Sequence, residues 1–102
     1  MKKIGIGGWD GKLTDGTAVH ETLVTILTYI LNVGSESLPA GMEQFRFLKR
    51  MSDALDAAEK SGTLTLEDKD CETIKELLEK YIPARWAFHK AILATIDDFM
   101  KL

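Results

Sequence analysis

Apolar positions recur along most of this chain at helical spacing. In the stretch from Gly62 to Pro83, Cys71, Ile74, Leu77, Leu78 and Tyr81 return every three or four residues. That period predicts an amphipathic helix over about 66–81. Gly62 ends the preceding helix, Thr63-Leu64-Thr65 is a short extended piece, and Pro83 stops the run. Thr65 reads as the N-cap with Asp68 three residues on, close to a capping box. Glu67, Asp68 and Asp70 crowd the first turn, where the helix dipole favours negative charge.

Three further helices follow from the same pattern. Val19, Leu23, Ile26, Leu27, Ile30 and Leu31 predict one over about 18–32, its apolar arc widened by Val24 and Tyr29, with Gly34 available as a left-handed C-cap. Met42, Phe45, Leu48, Met51, Leu55 and Ala58 predict a second over about 40–60; Phe47 falls off this stripe and, if exposed, belongs to a contact surface. A last helix is expected over about 84–101. Phe88, Ile92, Ile96 and Phe99 make one stripe, and Trp86, Leu93 and Met100, seven apart, make another. Two stripes exceed what one small core covers, which implies a partner surface.

The N-terminal stretch changes period. Ile4 and Ile6 alternate with glycine, and Asp10-Gly11 and Asp15-Gly16 are turn dipeptides. The pattern predicts strands at about 3–7 and 12–14, folded into a hairpin around Trp9-Asp10-Gly11. An isolated hairpin is marginal in water, so residues 63–65 are the expected third partner. Trp9 reads as a lid on the core in preference to an exposed anchor. The expectation is a single α+β domain over 1–102, predominantly helical, with about four helices and a two- or three-stranded antiparallel sheet.

Composition narrows the function classes. The 102 residues carry 16 acids and 13 bases, a formal charge of −3. That opposes a general binder of nucleic acid or membrane surface. A local basic patch from Arg46, Lys49 and Arg50, with Phe47 interleaved, is the one feature that would serve a nucleic-acid-binding regulator, kept as the alternative. The single cysteine, Cys71, lies on an apolar stripe and reads as a small core residue. No signal peptide is evident, and the apolar run Leu23–Val33 is too short to span a bilayer, so a reducing cytoplasmic setting is expected.

Chemistry-bearing patterns are weak. Gly62 and Leu64 sit where an EF-hand loop would place its glycine and pairing strand. Counting back, however, the ligand positions are Ala57, Glu59 and Ser61, and the twelfth is Asp68 in place of a bidentate Glu. A hard cation needs six to eight oxygens, so no metal is expected. Gly5, Gly7, Gly8 and Gly11 lack the spacing of a phosphate or dinucleotide loop and suit a hairpin better. Small-ligand or metal binding at either glycine-rich segment is a further alternative. His20 and His89 form no zinc set with one cysteine, and the pairs Asp97-Asp98 and Asp53/Asp56 read as solvated. No nucleophile has a base and an orienting group, so no enzyme and no cofactor are expected.

The order of elements resembles small, mostly uncharacterised proteins encoded by tailed bacteriophages and prophages. The likeness rests on the D-G-K of Asp10–Lys12, a helix with Leu23, Val24, Leu27 and Leu31, the Phe45/Leu48 pair, the segment Gly62–Lys80, and a Pro83-led final helix. It implies a non-enzymatic role in particle assembly or in binding a host protein, in the host cytoplasm or the virion. No site residue carries over from it. With the second apolar stripe, it makes a protein-interaction module, a homo-oligomer, the leading expectation, with Trp9, Phe47, Trp86, Leu93 and Met100 as contact residues.

Overall fold

The computed structural model describes residues 1–12 and 16–102. Among them the order is β1 (Lys2–Gly5), β2 (Trp9–Lys12), β3 (Ala18–Glu21), α1 (Leu23–Gly34), α2 (Met42–Ser61), β4 (Thr63–Leu66), α3 (Asp68–Tyr81) and α4 (Lys90–Met100), with short 3₁₀ turns at Ser35–Ser37 and Ala84–Phe88. The fold is predominantly helical α+β, as the hydrophobic pattern predicts.

Helix α1 is the centre of the core. Leu23, Ile26, Leu27 and Ile30 are almost fully buried, because α2, α3 and α4 all pack against this one helix. Against them lie Met51, Leu55 and Ala58 of α2, Leu64 and Leu66 of β4, Cys71, Ile74, Leu77 and Leu78 of α3, and Ile92, Ile96 and Phe99 of α4. The wide apolar arc of α1 is the sequence counterpart of this position.

The strands form two antiparallel pairs, not one sheet. β1 pairs with β4, Ile4 opposite Leu64. The predicted third partner is therefore β1's partner, while Trp9–Lys12, expected to hold the turn and the start of the second strand, pairs with 18–21 instead of with β1. The observed hairpin is β2–β3, Trp9 opposite Glu21 and Asp10 opposite His20. Asp10-Gly11 is extended strand, not a turn. The physical reason is burial: pairing with β4 sets Ile4 and Ile6 on the core, and Ile6 joins both neighbours, its N–H donating to Gly62 O and its carbonyl accepting from Leu23 N, each at 3.0 Å. The remaining expectations for 13–14 and Asp15 lie outside the described residues.

Helix boundaries also differ from expectation. α1 starts four residues after Val19, because 18–21 pair with β2. Its cap is a reciprocal box: Val24 N donates to Thr22 Oγ1 at 3.1 Å and Thr22 N donates to Thr25 Oγ1 at 3.3 Å. Gly34 is right-handed (φ −96°), so it is no left-handed cap; its missing side chain instead makes room for Leu77 and Tyr81. Gly62 does close α2 in the left-handed conformation (φ 81°), its N–H donating to Ala58 O at 2.8 Å. Thr65 does not cap α3: it lies within β4, and Glu67 is the boundary residue without a side-chain cap. The expected fourth helix is broken at His89, whose ring Nδ1 accepts from Ile92 N at 3.4 Å and starts α4 afresh.

The stripe of α2 is shifted in its first half. Phe47 is 7% exposed and in the core, whereas Phe45 is 62% exposed, and Met42 is exposed too. Both phases satisfy helical spacing; the one chosen puts Phe47 four residues before Met51, on the buried side of the helix.

Candidate functional site

A groove of about 400 Å³ lies between α1 and α2. Its apolar lining is Val24 and Leu31 from α1 and Leu48 and Leu55 from α2. Each pair is seven residues apart, two helical turns, so each helix presents one seam. Between the members of each pair sits a short hydroxyl residue, Thr28 on α1 and Ser52 on α2. A larger side chain at these positions would fill the space; the short ones leave it open. Thr28 turns its hydroxyl inward to its own helix, donating to Val24 O at 2.7 Å.

The groove's charge is one-sided. Asp56 and Glu59 line it, and no lysine, arginine or histidine does. Neither acid is in an ion pair with a described residue. Glu59 lies in the last turn of α2, where the helix dipole disfavours negative charge, and Asp56 lies a turn earlier.

A smaller cavity of about 220 Å³ opens beside the aromatic residues, lined by Glu21, Ile26, Tyr29, Arg85, Trp86 and Ile92 among others. Trp86 packs on Tyr29 with ring centroids 5.1 Å apart, and the Arg85 guanidinium stands 5.3 Å above the Tyr29 ring. Trp9 Nε1 donates to Glu21 Oε2 at 3.0 Å, and its ring meets His89 edge-on at 6.0 Å. These contacts clip β2 and the 84–88 turn to the body of the molecule.

The predicted contact residues do not gather into one surface. Trp9 is half-buried over the core, the lid arrangement. Phe47 is buried, which removes it from any contact surface. Trp86 and Met100 are partly buried against the core, and Leu93 is 39% exposed. The most exposed aromatic is Phe88, at 92%, which its spacing had assigned to the core stripe; the break at His89 turns it outward.

The basic patch is largely spent within the fold. Arg50 Nε and Nη2 each donate to Asp70 at 3.0 Å, and Lys49 Nζ donates to Asp53 at 3.4 Å. Of the three bases only Arg46 has no ion pair with a described residue. At the EF-hand-like turn, Leu64 pairs with Ile4, and no group of three or more metal-ligating side chains occurs among the described residues. No described helix is long and apolar enough to cross a membrane.

Leu55 lies in the core and Leu48 is partly buried against it, as their helical spacing predicts, so the groove above them is not a feature of the apolar pattern. No family model, curated protein or solved structure matches this chain.

Proposed function

We propose that this chain is a non-enzymatic protein-interaction module that binds a partner protein through the α1–α2 groove. The observation that carries this reading is the open groove of about 400 Å³ between α1 and α2, floored by the core residues Val24, Leu31 and Leu55, with Leu48 partly exposed at its wall. The resemblance to small phage and prophage proteins is in keeping with a partner in a particle or a host cell, and so with the host cytoplasm or the virion as its place. The test is site-specific photo-crosslinking in the source cell. A benzophenone amino acid at Ser52 should capture a discrete protein that the same group at Glu79, exposed on α3, does not. Equal capture at both positions, or none at Ser52, would overturn the reading.

A second reading, self-association through the C-terminal segment, is favoured by Phe88 at 92% exposure and Leu93 at 39%. Light scattering over a hundredfold concentration range tests it. An oligomer that Phe88→Ser dissociates supports it, and a monomer throughout removes it.

A further inference from the structure

Helix α4 carries its charges against its own dipole. Lys90 is its first residue, and Asp97 and Asp98 stand in its last turn. The cation is therefore at the end that favours an anion, and the anions are at the end that favours a cation. None of the three is in an ion pair with a described residue. We infer that α4 pairs antiparallel with α4 of a second copy of the chain, Lys90 of each facing the partner's Asp97 across a two-fold axis beside Leu93 and Ala94. This rests on the reading of the C-terminal segment as a self-association surface.

Ile92, Ile96 and Phe99 bury one side of α4 in the core. At about 3.6 residues per turn, Lys90, Leu93, Ala94 and Asp97 fall on the opposite side. All four are exposed. Leu93 is 39% exposed, and Phe88, at 92%, lies two residues ahead of Lys90.

This outer face is its own complement. Lys90 and Asp97 lie equally far from the midpoint between Leu93 and Ala94. A two-fold axis through that midpoint, with the helices antiparallel, sets Lys90 opposite the partner's Asp97 at two equivalent contacts. It also sets Leu93 opposite the partner's Ala94, a large side chain against a small one. Self-complementarity of this kind is the condition for a closed two-fold dimer. A parallel pair would instead set Lys90 against the partner's Lys90 and Asp97 against the partner's Asp97, like charge on like. The antiparallel pair also offsets the dipole. The partner's Asp97 stands beside the first turn of α4, and the partner's Lys90 stands beside the last. Phe88 then lies beside the C-terminal end of the partner's α4, out of the water that surrounds it in the single chain. A helix of 11 residues buries less than the roughly 1,200 Å² of stable complexes, so the dimer is a weak one.

Sedimentation equilibrium of the full chain, carried to about 1 mM, tests the arrangement. The parent should dimerise reversibly, and less so in raised salt. Lys90→Glu and Asp97→Lys each put like charges opposite one another at both contacts, and each should weaken the dimer about tenfold. The double variant, with the charges exchanged, should regain the parent's association. An equal mixture of the two single variants should associate more strongly than either alone. Both single substitutions bring α4 into line with its own dipole, so thermal melts in dilute solution should not fall, and a lost dimer is then not a lost fold. A dimer indifferent to the single substitutions, or a double variant no better than the singles, would overturn this arrangement. If Phe88→Ser still dissociates that dimer, self-association through the C-terminal segment stands without it. A monomer throughout would overturn both.

Discussion

Arg50 holds Asp70 by two parallel hydrogen bonds, Nε to Oδ2 and Nη2 to Oδ1, each 3.0 Å. Asp70 is 3% exposed, the one buried charged residue among those described, while about half of the Arg50 side chain remains in water. The pair fastens α2 to the first turn of α3. The bond to Asp70 raises the pKa of the guanidinium further, so the arginine stays charged at every relevant pH. Twenty residues separate the partners in sequence, and the two acids nearest to Asp70 in the chain, Asp68 and Glu72, are exposed.

Removing Arg50 strands a buried carboxylate. Arg50→Ala should therefore cost about 2 kcal/mol, below the roughly 3–5 of a fully buried pair because water reaches the arginine side. Adding Asp70→Ala should recover part of the loss, leaving the double variant less destabilised than the sum of the two singles by on the order of 1 kcal/mol. Urea unfolding of the four chains measures the coupling. Strict additivity would mean that the bonds contribute nothing net.

Gly34 and Gly62 end consecutive helices for unlike reasons. At Gly34 the backbone is ordinary, but an added Cβ would stand 3.0 Å from Leu77 Cδ2 and 3.1 Å from Tyr81 Cδ2. At Gly62 nothing lies within 4 Å, but φ is +81°. Both alanine variants should lose about 1 kcal/mol, through overpacking in one case and left-handed strain in the other. Asparagine separates them: Gly62→Asn should regain most of the loss, and Gly34→Asn should be worse than alanine. Thermal melts of the four variants decide it.

Local punctuation and the helical period were legible in the sequence; long-range pairing was not. The span of α3, the end of α2 at Gly62 and the central apolar run of α1 follow from spacing alone. Val19 stands four residues before Leu23, so it continued the α1 stripe, and only its pairing with Gly11 makes it strand. The β1–β4 ladder joins residues about sixty apart in sequence, which no local pattern announces. His89 breaks the last helix with neither glycine nor proline present, and Phe88 keeps a helical spacing to Ile92 across the break. The groove depends on how α1 and α2 are set against each other, so its residues could be read only as core.

Phe45 and Phe47 put the phase of α2 to a direct test. Phe47 is buried beneath Arg50, whose guanidinium lies 5.9 Å from the ring centroid. Phe47→Ala should cost roughly 3–5 kcal/mol through the cavity it leaves. Phe45→Ala, at a ring that is mostly in water, should stay within about 0.5 kcal/mol of the parent. Denaturant midpoints for the two variants check this, and a reversed order would restore the phase expected from the sequence.

Cys71 links the core to alkaline pH. Its thiol is buried beneath α1, and desolvation raises its pKa above the 9.0 ordinary for a thiol, with Lys75 only partly opposing. At pH values between the two, the unfolded chain has released this proton and the native chain has kept it. The unfolded state then binds fewer protons, so stability falls as pH rises. The contribution is whole below the ordinary thiol value and is lost as pH climbs through the native one. Lysines and tyrosines titrate in the same range, so the informative quantity is the difference between the parent and Cys71→Ala, in which their effects cancel. That difference should be constant from about pH 6 to about pH 8 and should narrow above it, by about 1.4 kcal/mol for each unit that separates the two thiol values. In the same experiment, iodoacetamide should label Cys71 in the native chain only at the rate of opening, because the reactive thiolate does not form in the closed core. A pH-independent difference, or labelling as fast as in urea, would place the thiol in contact with water.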